Sequence, residues 1–196
     1  MPRKIEKAAC DLLTTICGPT QKTPAWLMRP GRAECGKHWP LVQQIYHTLS
    51  GLELPETMPP REWRKVDGVF QSPHGDTFIF ELDEKQHFNA FRAATLRLYP
   101  TSIRLGFSVN EWLDRCHQKT KLERGGFGKP KPPLFPGENG RHRQRAFRDA
   151  LADLLPSEHG FVPTLRLSDI EVEAWVFSEG ARNRMAKLIE ERMAPE

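Results

Sequence analysis

The 196-residue sequence predicts a single α/β domain, and three observations carry that expectation. The run Phe78-Ile79-Phe80-Glu81-Leu82-Asp83-Glu84-Lys85 alternates: Phe78, Phe80 and Leu82 share one face, and Ile79, Glu81, Asp83 and Lys85 the other, as on a β-strand. Apolar residues recur at helical spacing toward both ends of the chain. Hydrophobic residues make up 38%, enough for a core at this length, and no apolar stretch approaches a membrane span. Met1-Pro2-Arg3-Lys4-Ile5-Glu6 lacks the apolar centre of a signal peptide, so the expected location is the cytoplasm, with no membrane partner.

In chain order, Lys4 to Ile16 reads as a helix with Cys10, Leu13 and Ile16 or Cys17 inward. Prolines 24 and 30 break it from a second helix marked by Leu41, Val42, Ile45 and Leu49, which Pro40 opens at its first turn. Val66 to Phe70 is an extended segment, Ser72-Pro73-His74-Gly75-Asp76 a tight turn, and the alternating run its partner strand, so the two form a hairpin. His87 to Leu98 then reads as a helix with Phe88, Phe91, Thr95 and Leu98 on one face, and Thr101 to Phe107 as the next strand. Asn110 to Cys116 is a short helix, Thr164 to Leu167 a late strand, and Glu179 to Met193 a closing amphipathic helix.

The polar face of the strand is the chemically unusual one. Adjacent same-face carboxylates repel, and a strand that only held a sheet together would not place Glu81 and Asp83 so without a local partner. The hairpin brings Asp67 toward Glu81, and three carboxylates converging there form a hard, all-oxygen site suited to Mg²⁺ or Mn²⁺. On this reading, removing one acid relieves repulsion and leaves the stability of the metal-free chain unchanged or higher.

Charge is distributed unevenly. Residues 119 to 148 hold nine basic side chains against Glu123 and Glu138, a balance of +7, which leaves −3 of the formal +4 for the remainder. That concentration is what a polyanion-binding element requires, whereas a basic linker is the plainer alternative. Within it, Gly125 to Gly137 is too rich in glycine and proline for helix or central strand, so it is a long loop, and Phe127, Leu134 and Phe135 dock it against something. The following helix, Arg141 to Leu155, buries Phe147, Leu151, Leu154 and Leu155 and displays Arg141, Arg145 and Arg148 along one side. With Lys129, Lys131 and Arg143, these are the candidate nucleic-acid contacts.

Four cysteines show no paired metal-binding spacing. Cys35 and His38 form half of a zinc pattern with Cys10 and Cys17, but the spacing of seven between the latter two places them on one helix face, and buried thiols are the simpler reading.

Asp67, followed after a turn by Asp83-Glu84-Lys85, resembles the PD-(D/E)XK nucleases. Glu81-Leu82-Asp83 with His87 resembles the Vsr-like branch, relatives of very-short-patch-repair endonucleases. The alignments share Asp67 and Asp83 and differ over Glu81, Lys85 and His87; Val66 replaces the family's Pro, and Glu84 a Gly usual in the Vsr-like branch. The resemblance spans about residues 33 to 107 and implies a restriction-endonuclease-like core of helix, hairpin, helix and strand, extended by N- and C-terminal helices and by the basic loop and helix at about 119 to 155. It further implies a Mg²⁺- or Mn²⁺-dependent DNA endonuclease in restriction, repair or a mobile element. Asp67, Glu81 and Asp83 would hold the metal, Lys85 or His87 would act on water or phosphate, and Glu34 is the candidate for an additional acid. Cutting both strands with one site per chain would call for a homodimer. A nucleic-acid-binding module of the same fold without turnover, and an interaction protein with a salt-bridged sheet, are the competing classes.

Overall fold

The computed structural model describes residues 2–60, 64–119, 121–122 and 125–193. Among these, four helices precede the sheet: α1 (Pro2–Cys17), α2 (Ala25–Met28), α3 (Arg32–Cys35) and α4 (Trp39–Ser50), the last with Pro40 in its first turn. Strands β1 (Gly68–Gln71) and β2 (Thr77–Asp83) follow, then α5 (Ala90–Leu96), α6 (Val109–Gln118) and α7 (Gly140–Leu154). The described chain closes with β3 (Leu165–Ser168), α8 (Asp169–Glu173) and α9 (Ala181–Met193).

The sheet is mixed, in the order β1-β2-β3. β1 and β2 pair antiparallel with Gly68 opposite Phe80, across a turn closed by Ser72 N–H on Asp76 O at 2.7 Å. β2 and β3 pair parallel with Glu81 opposite Arg166 and Asp83 opposite Ser168. Alternation works as expected: Phe78, Phe80 and Leu82 join Leu165 and Leu167 in a core covered by Ile5, Ala9 and Leu13 of α1 and Met185 and Ile189 of α9. On the opposite face α7 lies over Glu81, Asp83 and Arg166, packed in turn on α4 and α5.

The strand expected at Thr101 to Phe107 does not form. The segment turns, with Ile103 N–H on Pro100 O, and touches the sheet through one parallel bridge, Gly106 to Leu165. A Cβ on Gly106 would stand 2.3 Å from Thr164 O, so this crossing depends on glycine, and Phe107 packs on Trp112 instead of extending a ladder. The third strand comes from the C-terminal Leu165–Ser168, so the sheet is not contained in residues 33 to 107. The helix expected from His87 starts three residues later, because the Asn89 side chain accepts from Phe91 and Arg92 N–H and caps it there.

The Gly/Pro-rich loop docks as expected: Leu134 and Phe135 are buried against Tyr46 and Phe147, and Tyr46 donates to Leu134 O at 2.7 Å. The Phe127 side chain lies outside the described residues. The loop delivers the chain into α7 through Asn139 at φ 58 and Gly140, where a Cβ would meet Phe135 O at 2.4 Å. No described helix is long and apolar enough to cross a membrane.

Candidate functional site

Register puts Asp67, just ahead of β1, opposite Glu81 of β2. Asp67 Oδ2 accepts the Leu82 N–H at 2.8 Å, which fixes its carboxylate beside the hairpin. Burial first and the neighbouring Glu81 second raise its carboxyl to about 7, against the opposing pull of the Leu82 amide. Glu81 is ion-paired with buried Arg64 at 2.5 Å. Both acids line one cavity of about 270 Å³, together with Glu84, His87 and Asp149. Arg141, Arg145 and Arg148 of α7 line the same cavity, with Arg64 and Lys65. Their i, i+4, i+7 spacing therefore faces the carboxylates of a strand about 60 residues earlier.

Asp83 takes a different position. It is fully buried, bonded to Arg166 at 2.5 Å and to the Trp112 indole N–H at 2.6 Å, and does not line the cavity. The three acids thus do not share one opening, because two residues past Glu81 the same strand face passes under α7, where β3 supplies Arg166 as the counter-ion. His87 connects the levels: its Nδ1 lies 3.2 Å from Asp83 Oδ1 and 3.1 Å from Asp149 Oδ2, while the residue itself lines the cavity. Burial opposes charging the ring, but Asp149 and Asp83 outweigh it and raise the His87 pKa. Asp149, whose burial alone would push it up, is held well below the usual carboxylate range by His87, Arg166 and Arg92.

Asp83, His87 and Asp149 form a group that could hold a metal ion, with one ligand atom from each lying within 4.8 Å of the others. A cation there must displace the His87 proton and share Asp83 with Arg166, whereas Asp67 and Glu81 offer oxygen alone and each keeps a second carboxylate oxygen beyond the bonds above.

The remaining expected residues lie elsewhere. Lys85 is exposed in a short turn and lies outside the cavity lining, and Lys119 donates to its carbonyl at 2.6 Å. Glu34 accepts the Gly31 N–H at 2.8 Å at the start of its own helix, away from the cavity. Arg143 turns inward, donating to Leu49 O with its guanidinium over Phe91 at 4.9 Å. Lys129 and Lys131 sit in the loop, outside the cavity lining. The cysteines are free, burial pushes Cys10 and Cys35 up to about 12, and among the described residues none joins a group of three metal-ligating side chains.

Sequence reading missed Asp149, Arg64 and Arg166. A signal existed for the first: Asp149 and Asp153 are four apart among Ala150, Leu151, Ala152 and Leu154 at the end of α7, and a helix buries such a pair only with partners. Arg166 between Leu165 and Leu167 carries the same signal on a strand.

Residues 44–188 match a family described as a family of unknown function (DUF7255), and the chain belongs to that family. No curated protein and no solved structure matches it.

Proposed function

We propose that this chain is a metal-dependent endonuclease that hydrolyses phosphodiester bonds of DNA, in a restriction, repair or mobile-element role. One observation carries the reading: a single cavity sets hairpin carboxylates against a row of helix arginines. An acid cluster alone would repel a phosphate backbone, and an arginine row alone would only bind it; facing each other they suit positioning and cleavage. Here the hairpin and α5 stand for the restriction-endonuclease-like core, with β3 in place of the strand expected at Thr101 to Phe107.

Arg141, Arg145 and Arg148 hold the phosphates on the cavity wall. Asp67 and Glu81 are the oxygen donors at the floor, where a bound Mg²⁺ or Mn²⁺ would polarise the phosphoryl oxygen and activate water. His87 Nδ1 is taken up by Asp83 and Asp149, which favour the charged ring, and Nε2 is the nitrogen left for the substrate, where it would protonate the departing oxygen. Asp83 acts through His87 and Arg166.

The competing reading, a nucleic-acid-binding module without turnover, draws on a specific observation. The acids already have partners: Glu81 has Arg64, Asp83 has Arg166 and Asp149 has His87. Plasmid nicking decides between the two. Mg²⁺- or Mn²⁺-dependent nicking that EDTA stops, and that Asp67→Asn reduces at least about a hundredfold, supports the enzyme. Duplex binding with no cut under either metal leaves the binding module.

A further inference from the structure

A second cavity of about 630 Å³ adjoins the carboxylate cleft, and the two share Arg64, Lys65 and Asp67 in their linings. Met28, Val66 and Val69 give it an apolar surface, and Thr20, Lys22 and Thr23 a polar rim. This rim is tied to the sheet: Gln21 N–H donates to Val69 O at 2.8 Å, and Thr20 Oγ1 accepts the Val69 N–H at 3.1 Å. Arg64 stands at the junction. It is 7% exposed, its Nη2 is committed to Glu81, and its Nη1 is buried with no hydrogen-bond partner among the described residues. Arg64 and Lys65 both border the two openings, so an anionic group that spans the junction meets two cationic side chains.

We propose that this second cavity is a nucleotide subsite, which takes one nucleotide unit of the strand held in the carboxylate cleft. Its phosphate meets Arg64 and Lys65, and its base lies on Met28, Val66 and Val69. The proposal rests on the phosphodiester reading of the first cleft and deepens it. A ligand that continues from the arginine row past Arg64 into an apolar recess must alternate anionic groups with flat apolar ones, which is the repeat of a nucleic-acid strand. The volume falls within the roughly 300–1,000 Å³ of small-ligand pockets.

The test is calorimetric titration of the full chain, without metal, using deoxyadenosine 5′-monophosphate, deoxyribose 5-phosphate and deoxyadenosine as probes. The monophosphate should bind at least about tenfold more tightly than either fragment, since it alone engages both the cations and the apolar surface. Thr23→Trp, which fills the recess, and Lys22→Glu, an exposed rim change that leaves the fold alone, should each weaken it at least about tenfold. The subsite is overturned if the monophosphate does not bind, if deoxyribose 5-phosphate binds as well as the monophosphate, or if neither variant alters affinity. Because no cut is scored, this failure is separable from that of the proposed function. A chain that nicks DNA but binds the monophosphate independently of Thr23 and Lys22 keeps the enzyme and loses the subsite. One that binds the monophosphate in this cavity and never nicks DNA does the reverse.

Discussion

His87 Nδ1 and Asp149 Oδ2 lie 3.1 Å apart although 62 residues separate them, and Asp83 Oδ1 flanks the same nitrogen at 3.2 Å. The pair belongs to a wider buried set in which Arg166 bonds Asp83 and Asp153, and Arg92 bonds Asp153 at 2.6 Å. Three carboxylates against two guanidiniums leave one negative charge, and the His87 proton cancels it. Neutrality inside a low-dielectric layer therefore depends on that proton.

That dependence predicts a pH response. The folded chain holds the His87 proton above the ordinary value of 6.5, so the stabilisation is complete below 6.5 and drains away as pH rises through the folded value. Urea unfolding from pH 5.5 to 9, in an Asp67→Asn background that removes the other group titrating in this window, should show the chain losing stability upward, while adding His87→Gln removes that step. Identical pH profiles would separate the ring's charge from the stability of the layer.

Asp83→Ala should destabilise the chain by about 3–5 kcal/mol, because it removes the carboxylate that Arg166 and the Trp112 indole N–H share in a dry interior and leaves Arg166 with Asp153 as its remaining close partner. This reverses the sign expected from strand alternation, which treats Asp83 as a repelled acid. Thermal and urea unfolding of the metal-free protein will read it. A double variant that also replaces Arg166 by Met should recover part of the loss, whereas equal instability in both would mean that the pair is not the cause.

Asp67→Asn should instead be tolerated, and stabilising by about 1 kcal/mol at pH 8, since a buried carboxylate beside Glu81 is charged there at a cost. With the folded carboxyl raised to about 7 from 3.8, wild type loses stability between those values as pH rises, and the variant should not. A neutral-pH loss of stability in Asp67→Asn would contradict this.

The two family alignments make opposite claims about Lys85 and His87. His87 lines the cavity and Lys85 does not, so His87→Ala should cut nicking at least about a hundredfold and Lys85→Ala only a few-fold. Single-turnover rates at fixed Mg²⁺ measure both. The reverse order would restore the lysine-centred alignment.

Replacing Arg141, Arg145 and Arg148 by Glu should weaken duplex binding across sequences and flatten its salt dependence, by about 0.9 in slope for every phosphate that the variant no longer neutralises. Fluorescence anisotropy of labelled duplex at several salt concentrations gives both quantities. Matching slopes for variant and wild type would remove α7 from the phosphate path.

The hairpin, the split between apolar and acidic faces of β2, and the arginine row of α7 were legible in the sequence because each depends on local periodicity. Alternation of two along a strand or 3.6 along a helix states which side chains share a face, and burial of Phe78, Phe80 and Leu82 follows from it. What those faces meet depends on tertiary structure. The third strand came from Leu165–Ser168 because Gly106 and its neighbours turn against β3 at one residue, a matter of close approach that composition does not encode. The fate of Asp83 was likewise undecidable locally: an acid on a strand is a metal ligand or half of a buried pair according to whether a distant cation reaches it. Arg166, 83 residues on, is that cation, and the docking of α7 over it brings Asp149 to His87.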